Sequence, residues 1–137
     1  MNDRLELTLA NQRSALARSQ DELESFARQH GLPARVLHPV QLALEEHLTN
    51  IIAYGYDDPL EHNISVRVLL NHPCLRIEVE DDGHPFNPLE YPSPDLAKPI
   101  EDRPVGGLGI YMMRKSLDGI EYSHTAGRNR LVMLKRI

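Results

Sequence analysis

Leu44-Glu45-Glu46-His47-Leu48-Thr49-Asn50-Ile51-Ile52, residues 44–52, lies inside a helix that carries two patterns at once. At about 100° per residue, Leu37, Val40, Leu44, Leu48 and Ile51 fall within about 40° of one direction and form a core stripe. Glu46 and Asn50, one turn apart, share the opposite side with the small residues Ala43 and Ala53. A carboxylate and an amide on one ridge, with room beside them, could meet a ligand. They are also what a solvated polar face looks like. Pro33 suits the first turn of this helix, and Gly55-Tyr56-Asp57-Asp58-Pro59 ends it after Tyr54.

The flanking segments supply the other elements. Arg4–Ala10 alternates apolar and polar residues, as a strand does. Residues 11–30 carry Leu16, Leu23, Phe26 and Ala27 at helical spacing, and Gly31 is a stop signal. Asn63–Leu70 and Leu75–Asp81 read as strands joined by the turn Asn71-His72-Pro73. Residues 87–105 are proline-rich and without periodicity, which predicts a functional loop of the lid type. Gly106-Gly107-Leu108-Gly109 opens a short helix reaching about Leu117, and strands are expected near 120–124 and 130–136. The order β-α-α-β-β-lid-α-β-β predicts an α+β fold, a two-layer sandwich with helices on one face of a mostly antiparallel, mixed sheet.

Two further spots carry chemistry. Period two puts Leu75, Ile77, Val79 and Asp81 on one side of their strand, so a carboxylate ends an apolar row. Burying an unpaired charge is expensive, so Asp81 needs a donor at the sheet edge or in a ligand. Gly83 would let backbone approach that ligand. An ordinary Asp-Asp-Gly turn is the alternative. The glycines at 106, 107 and 109 precede a helix, where exposed N–H groups and the helix dipole suit phosphate. They lack the Lys-Ser/Thr of a P-loop, and a packing turn would look the same.

Composition narrows the classes. With 41% apolar and 26% charged residues the chain can bury a core, and its net charge of −5 argues against direct nucleic-acid binding. Residues 1–102 hold 8 basic and 18 acidic side chains, and residues 103–137 hold 7 and 2. That basic final quarter could face an anion or simply be a solvated face. A single cysteine, Cys74, excludes an internal disulfide and a cysteine-based zinc site. The seven histidines form no H-E-x-x-H pattern, and each, His47 included, is expected at the surface or in a turn. No stretch approaches about 18 apolar residues and the first residues lack a signal-like apolar run, so a cytoplasmic protein without membrane contact is expected.

Three segments in this order resemble the boxes of the GHKL ATP-binding fold, the Bergerat or histidine-kinase-like ATPase fold. Residues 44–52 resemble its E-x-x-x-N box. Glu80-Asp81-Asp82-Gly83-His84-Pro85-Phe86-Asn87-Pro88 resembles the D-x-G box with its phenylalanine, and Gly107-Leu108-Gly109-Ile110 resembles the G-x-G box. The resemblance covers nearly the whole chain. It is strongest to the small anti-sigma-factor serine/threonine kinases of bacteria, which are single domains of about this length; one domain over 1–137 is expected.

The resemblance implies ATP and Mg²⁺ as cofactors. It makes Asp81 the acceptor for the adenine amine, Asn50 an oxygen ligand of Mg²⁺, and Glu46 the general base toward a serine or threonine hydroxyl. Gly107 and Gly109 would line the phosphates. Arg103, in the lid, is a candidate for neutralising phosphate charge on position and charge alone. The implied substrate is a STAS-domain anti-sigma-factor antagonist; a sigma factor could be a second partner. A homodimer paired through the N-terminal strand or first helix is expected. The chain departs from the family pattern at Pro85 (often glycine), Asn87 (commonly acidic) and Tyr54 (histidine in many relatives). A second reading keeps the domain as an ATP-binding module that controls a partner by contact, without phosphoryl transfer.

Overall fold

The computed structural model describes residues 3–90 and 107–137. Its elements are β1 (Arg4–Ala10), α1 (Ser14–Gln29), α2 (Ala34–Tyr54), β2 (Asn63–Asn71), β3 (Cys74–Asp81), α3 (Gly107–Ser116), β4 (Gly119–Thr125) and β5 (Arg128–Arg136). The proline-rich lid expected over 87–105 falls largely on residues 91–106, outside the described residues, and Arg103 falls there with it.

The five strands form one sheet in the order β1-β2-β3-β5-β4. Among the described residues all four pairings are antiparallel, so no mixed sheet is seen there. Register explains the core. Leu7, Val66, Val79, Leu131 and Tyr122 stand opposite one another across all five strands. Leu5, Val68, Ile77, Met133 and Ile120 make a second such row. Side chains alternate faces along a strand, so both rows project to the same side. There they join Leu23, Phe26, Val40, Leu44 and Leu48 of the helices in one apolar cluster.

The outer face of the sheet is ionic. Glu78 is buried there, 2.8 Å from Arg130, 2.9 Å from Arg76 and 3.4 Å from Arg67. Burial alone would raise its pKa, but hydrogen bonds from Arg76 and Arg130 bring it below the usual range. Arg128 and Arg130 also reach Glu80, at 3.6 and 3.5 Å. These arginines of the basic final quarter thus neutralise β3 glutamates rather than standing free.

Helix α1 ends as its sequence demands. Gly31 takes a left-handed φ of 63°, and Leu32 donates back to the Ala27 carbonyl at 2.9 Å. Pro33 is extended and sits just before α2. The core stripe of α2 is shifted from the expected one: Leu37 is only partly buried, while Val36, Ala43 and His47 are buried. Helix α2 packs against α3 and α1 as well as the sheet, so more than one of its faces is covered. A one-stripe amphipathic pattern does not foresee a helix held between a sheet and another helix.

Candidate functional site

A cleft of about 440 Å³ opens between α2, α3 and the ends of β3 and β5. Its wall combines Ile51, Ile110, Phe86 and Pro85 with the polar side chains of His47, Asn50, Asp81, His84 and Asn129. That size and an apolar wall with few polar groups are usual for a small-molecule site. A larger cavity, of about 610 Å³, lies along Arg4, Arg76 and Glu78 on the sheet's outer face and involves none of the candidate residues.

Asp81 ends the apolar row of β3 and is 2% exposed. Its Oδ2 accepts from the Gly83 N–H at 2.9 Å and from Asn129 Nδ2 at 3.1 Å. Burial raises its pKa above the ordinary value, outweighing these two hydrogen bonds. Asn129 stands directly opposite Asp81 in the β3–β5 register. It also donates to the carbonyls of Gly83 and His84, at 3.2 and 2.8 Å. Its own oxygen accepts from the Tyr122 hydroxyl and from the Phe86 N–H. One buried amide therefore fixes both the carboxylate and the loop after it.

Gly83 is required by a close approach. A Cβ there would come within 2.6 Å of the Gly55 carbonyl oxygen. The next residue, His84, donates its N–H to that same oxygen at 2.8 Å. This contact clasps the C-terminal end of α2 to the end of β3, and so sets one side of the cleft. Beside it, His62 bonds Asp58 at 2.8 Å and Asp82 at 3.3 Å and stacks on Tyr56. The hydrogen bond to Asp58 is the main cause of its raised pKa.

Glu46 and Asn50 lie farther along α2. Asn50 Nδ2 donates to Glu46 Oε1 at 3.3 Å, which leaves the amide oxygen of Asn50 for another partner. Beside Asn50 the cleft is open and Ala53 is exposed, as the small residues predict, but beside Glu46 the space is filled. Ala43 is fully buried, and Gly109 in the first turn of α3 lies directly on the Glu46 carboxylate, where any Cβ would overlap it. Gly107 is the first residue of α3. The polar ridge of α2 thus faces the N-terminal turn of a helix, whose N–H groups and dipole favour negative charge.

His47 corrects the surface placement expected of it. It is 3% exposed and lines the cleft. Its Nδ1 is sealed from solvent and has no partner among the described residues. Burial lowers its pKa to about 4, so it is neutral at pH 7. Asn129, Tyr122 and His47 were not legible as site residues. Two of them reach Asp81 through strand pairing more than forty positions away in sequence, and the burial of His47 depends on elements packed against α2 that are distant in sequence.

Two of the expected residues, Asn50 and Asp81, therefore line one hollow, with Gly83 supporting Asp81; Glu46 is bonded to Asn50, and Gly109 lies on the Glu46 carboxylate. Among the described residues no cluster of histidine, cysteine or acid side chains could hold a metal by itself, and no helix is long and apolar enough to cross a membrane.

The profile of the histidine kinase-like ATPase domain matches residues 9–135, and the chain belongs to that family. Membership of an ATPase family implies use of ATP. Among its relatives, the serine/threonine-protein kinase BtrW of Bordetella bronchiseptica is 25% identical over 111 residues, covering 81% of this chain and 78% of the relative. The serine-protein kinase RsbW of Bacillus mycoides is 28% identical, covering 80% of this chain and 71% of the relative. RsbW of Listeria monocytogenes is 23% identical over 100% of this chain and 89% of its own length. In shape, the chain matches the crystal structure of the RsbU and RsbW domains of Rv1364c from Mycobacterium tuberculosis with a TM-score of 0.73 at 18% identity. That match covers 98% of this chain and 32% of the other, and it speaks for the fold.

Proposed function

We propose that the protein is an ATP-dependent serine/threonine-protein kinase of the partner-switching type, whose substrate is a STAS-domain antagonist of an anti-sigma factor. The observation that carries this reading is one cleft lined both by a buried, backbone-fixed carboxylate, Asp81, and by Asn50, whose amide is bonded to the Glu46 carboxylate beneath the first turn of α3. Relatives over most of the chain bear serine-protein kinase names, which supports the same reading.

Each residue has a task that its chemistry suits. Asp81, ionised, only accepts hydrogen bonds, so it selects an exocyclic amine such as that of adenine. Asn129 and Gly83 hold its Oδ2 and so fix the direction of the carboxylate. The Asn50 amide oxygen fits a hard cation such as Mg²⁺, which takes few protein ligands and keeps waters. Glu46 takes the proton of a serine or threonine hydroxyl as that oxygen becomes the nucleophile. Gly107 and Gly109 let backbone and helix dipole stand close to phosphate oxygens. ATP with Mg²⁺, when bound, supplies the phosphoryl group and the neutralising charge; the protein's share is positioning.

The test is transfer of labelled phosphate from ATP to a cognate STAS protein, with Glu46→Gln as control. Transfer by the wild type that is lost in the variant while ATP affinity is kept supports catalysis. No transfer by a wild type that binds ATP would favour the contact-only regulator instead.

A further inference from the structure

Resting on that reading of the cleft, we propose that His47 is a specificity-determining residue of this chain. Its imidazole donates a hydrogen bond to a ring nitrogen of the base, beside the amine that Asp81 accepts. A carboxylate alone is an incomplete reader of adenine. It satisfies the amine and leaves the ring nitrogens, which are acceptors, without a donor inside a largely apolar wall.

His47 is the side chain placed to complete the set. It is 97% removed from solvent, since only 3% of it is exposed, yet it forms part of the same wall as Asp81. A histidine buried for packing alone would have its ring nitrogens paired within the protein. Here Nδ1 is sealed off with no partner among the described residues, and the neighbouring wall residues Ile51 and Ile110 offer none. A buried N–H without an acceptor is rarer than a buried acceptor without a donor. The tautomer that suits this site carries its proton on Nε2 and leaves Nδ1 bare. Nε2–H then becomes the donor offered to the occupant. The ring is neutral, so it brings this donor without placing a cation beside Asp81.

The experiment compares ATP, 1-deaza-ATP and 7-deaza-ATP by calorimetry on wild type, His47→Leu, His47→Phe and His47→Gln. The expected result is that the wild type prefers ATP over one of the two analogues by roughly tenfold. That preference falls to near unity in the Leu and Phe variants and is partly restored by Gln, which keeps a donor. In the wild type, the imidazole ¹⁵N signal of His47 moves on addition of ATP and stays in place with the disfavoured analogue. Because no hydrogen bond among the described residues is lost, the ligand-free melting temperature of His47→Leu should not fall by more than its lost packing; if the variant fails to fold, the ¹⁵N comparison decides alone. Equal binding of ATP and both analogues by the wild type, a preference that survives in His47→Leu, or a ¹⁵N signal indifferent to ATP would overturn the assignment while leaving the nucleotide reading intact. A wild type that binds no adenine nucleotide would instead remove that reading, and this inference with it.

Discussion

Asn129 on β5 donates through Nδ2 to Asp81 Oδ2 at 3.1 Å, from the position directly opposite it on β3. The pair is buried, and the same amide nitrogen also holds the carbonyls of Gly83 and His84. Asn129→Ala would leave a carboxylate and two carbonyls short of donors. Each buried polar group so orphaned costs about 1–3 kcal/mol, partly offset by entering water. The expected loss is about 3 kcal/mol in urea unfolding, together with weaker nucleotide binding. A loss below about 0.5 kcal/mol would place this amide outside the machinery that holds Asp81.

Gly109 lies on the Glu46 carboxylate with no room for a Cβ. The Glu46 side chain is flexible, so Gly109→Ala should be accommodated by moving the carboxylate rather than by unfolding. Displacing a catalytic group by about 1 Å can cost about 10²-fold in rate. Phosphoryl transfer is therefore expected to fall by about that factor, with the melting temperature little changed. Transfer at the wild-type rate would show that the position of Glu46 is not critical.

The local half of this architecture was written in local patterns. Alternation along Leu75, Ile77, Val79 and Asp81 located a buried acid, and it is buried. The 3.6-residue period located Glu46 and Asn50 on one ridge, and they are hydrogen-bonded. What escaped depended on partners distant in sequence. Glu78 alternates with that apolar row and so lies on the sheet's other face, yet three arginines from β2, β3 and β5 cover it. His47 reads as a surface histidine, yet the packing around α2 leaves it only 3% exposed in the wall of the cleft. Asn129 sits in Arg128-Asn129-Arg130, where nothing but strand register points to Asp81.

His47 makes stability depend on acid. Its folded pKa of about 4 is below the ordinary 6.5, so below pH 6.5 the unfolded chain binds the proton more readily. Stability is whole above that value, declines as pH falls from about 6.5 to 4, and then levels. The full effect is roughly 3 kcal/mol. His47→Leu should flatten this limb in urea titrations between those pH values. An unchanged slope would mean that His47 is not neutral in the folded state.

His62 acts with the opposite sign. Its pKa is raised, first by its hydrogen bond to Asp58. The contribution is complete below the unfolded value near 6.5 and is lost as pH rises through the higher folded value. The ring is only 18% exposed, but its partners Asp58 and Asp82 are exposed, so the effect is small and screened by salt. His62→Gln should remove a shallow decline in stability above pH 6.5 seen at low ionic strength. NMR titration of His62 giving a midpoint at or below 6.5 would contradict this.

The most direct measurement is calorimetric titration of ATP with magnesium into wild type and Asp81→Asn. The asparagine can keep an oxygen for the Gly83 N–H and Asn129 while losing the acceptor-only character at the cleft. The wild type should bind at one saturable site, and the variant should bind at least tenfold more weakly with its unfolding free energy within about 1 kcal/mol of wild type. Equal ATP affinity in the two proteins would contradict the placement of the adenine amine on Asp81.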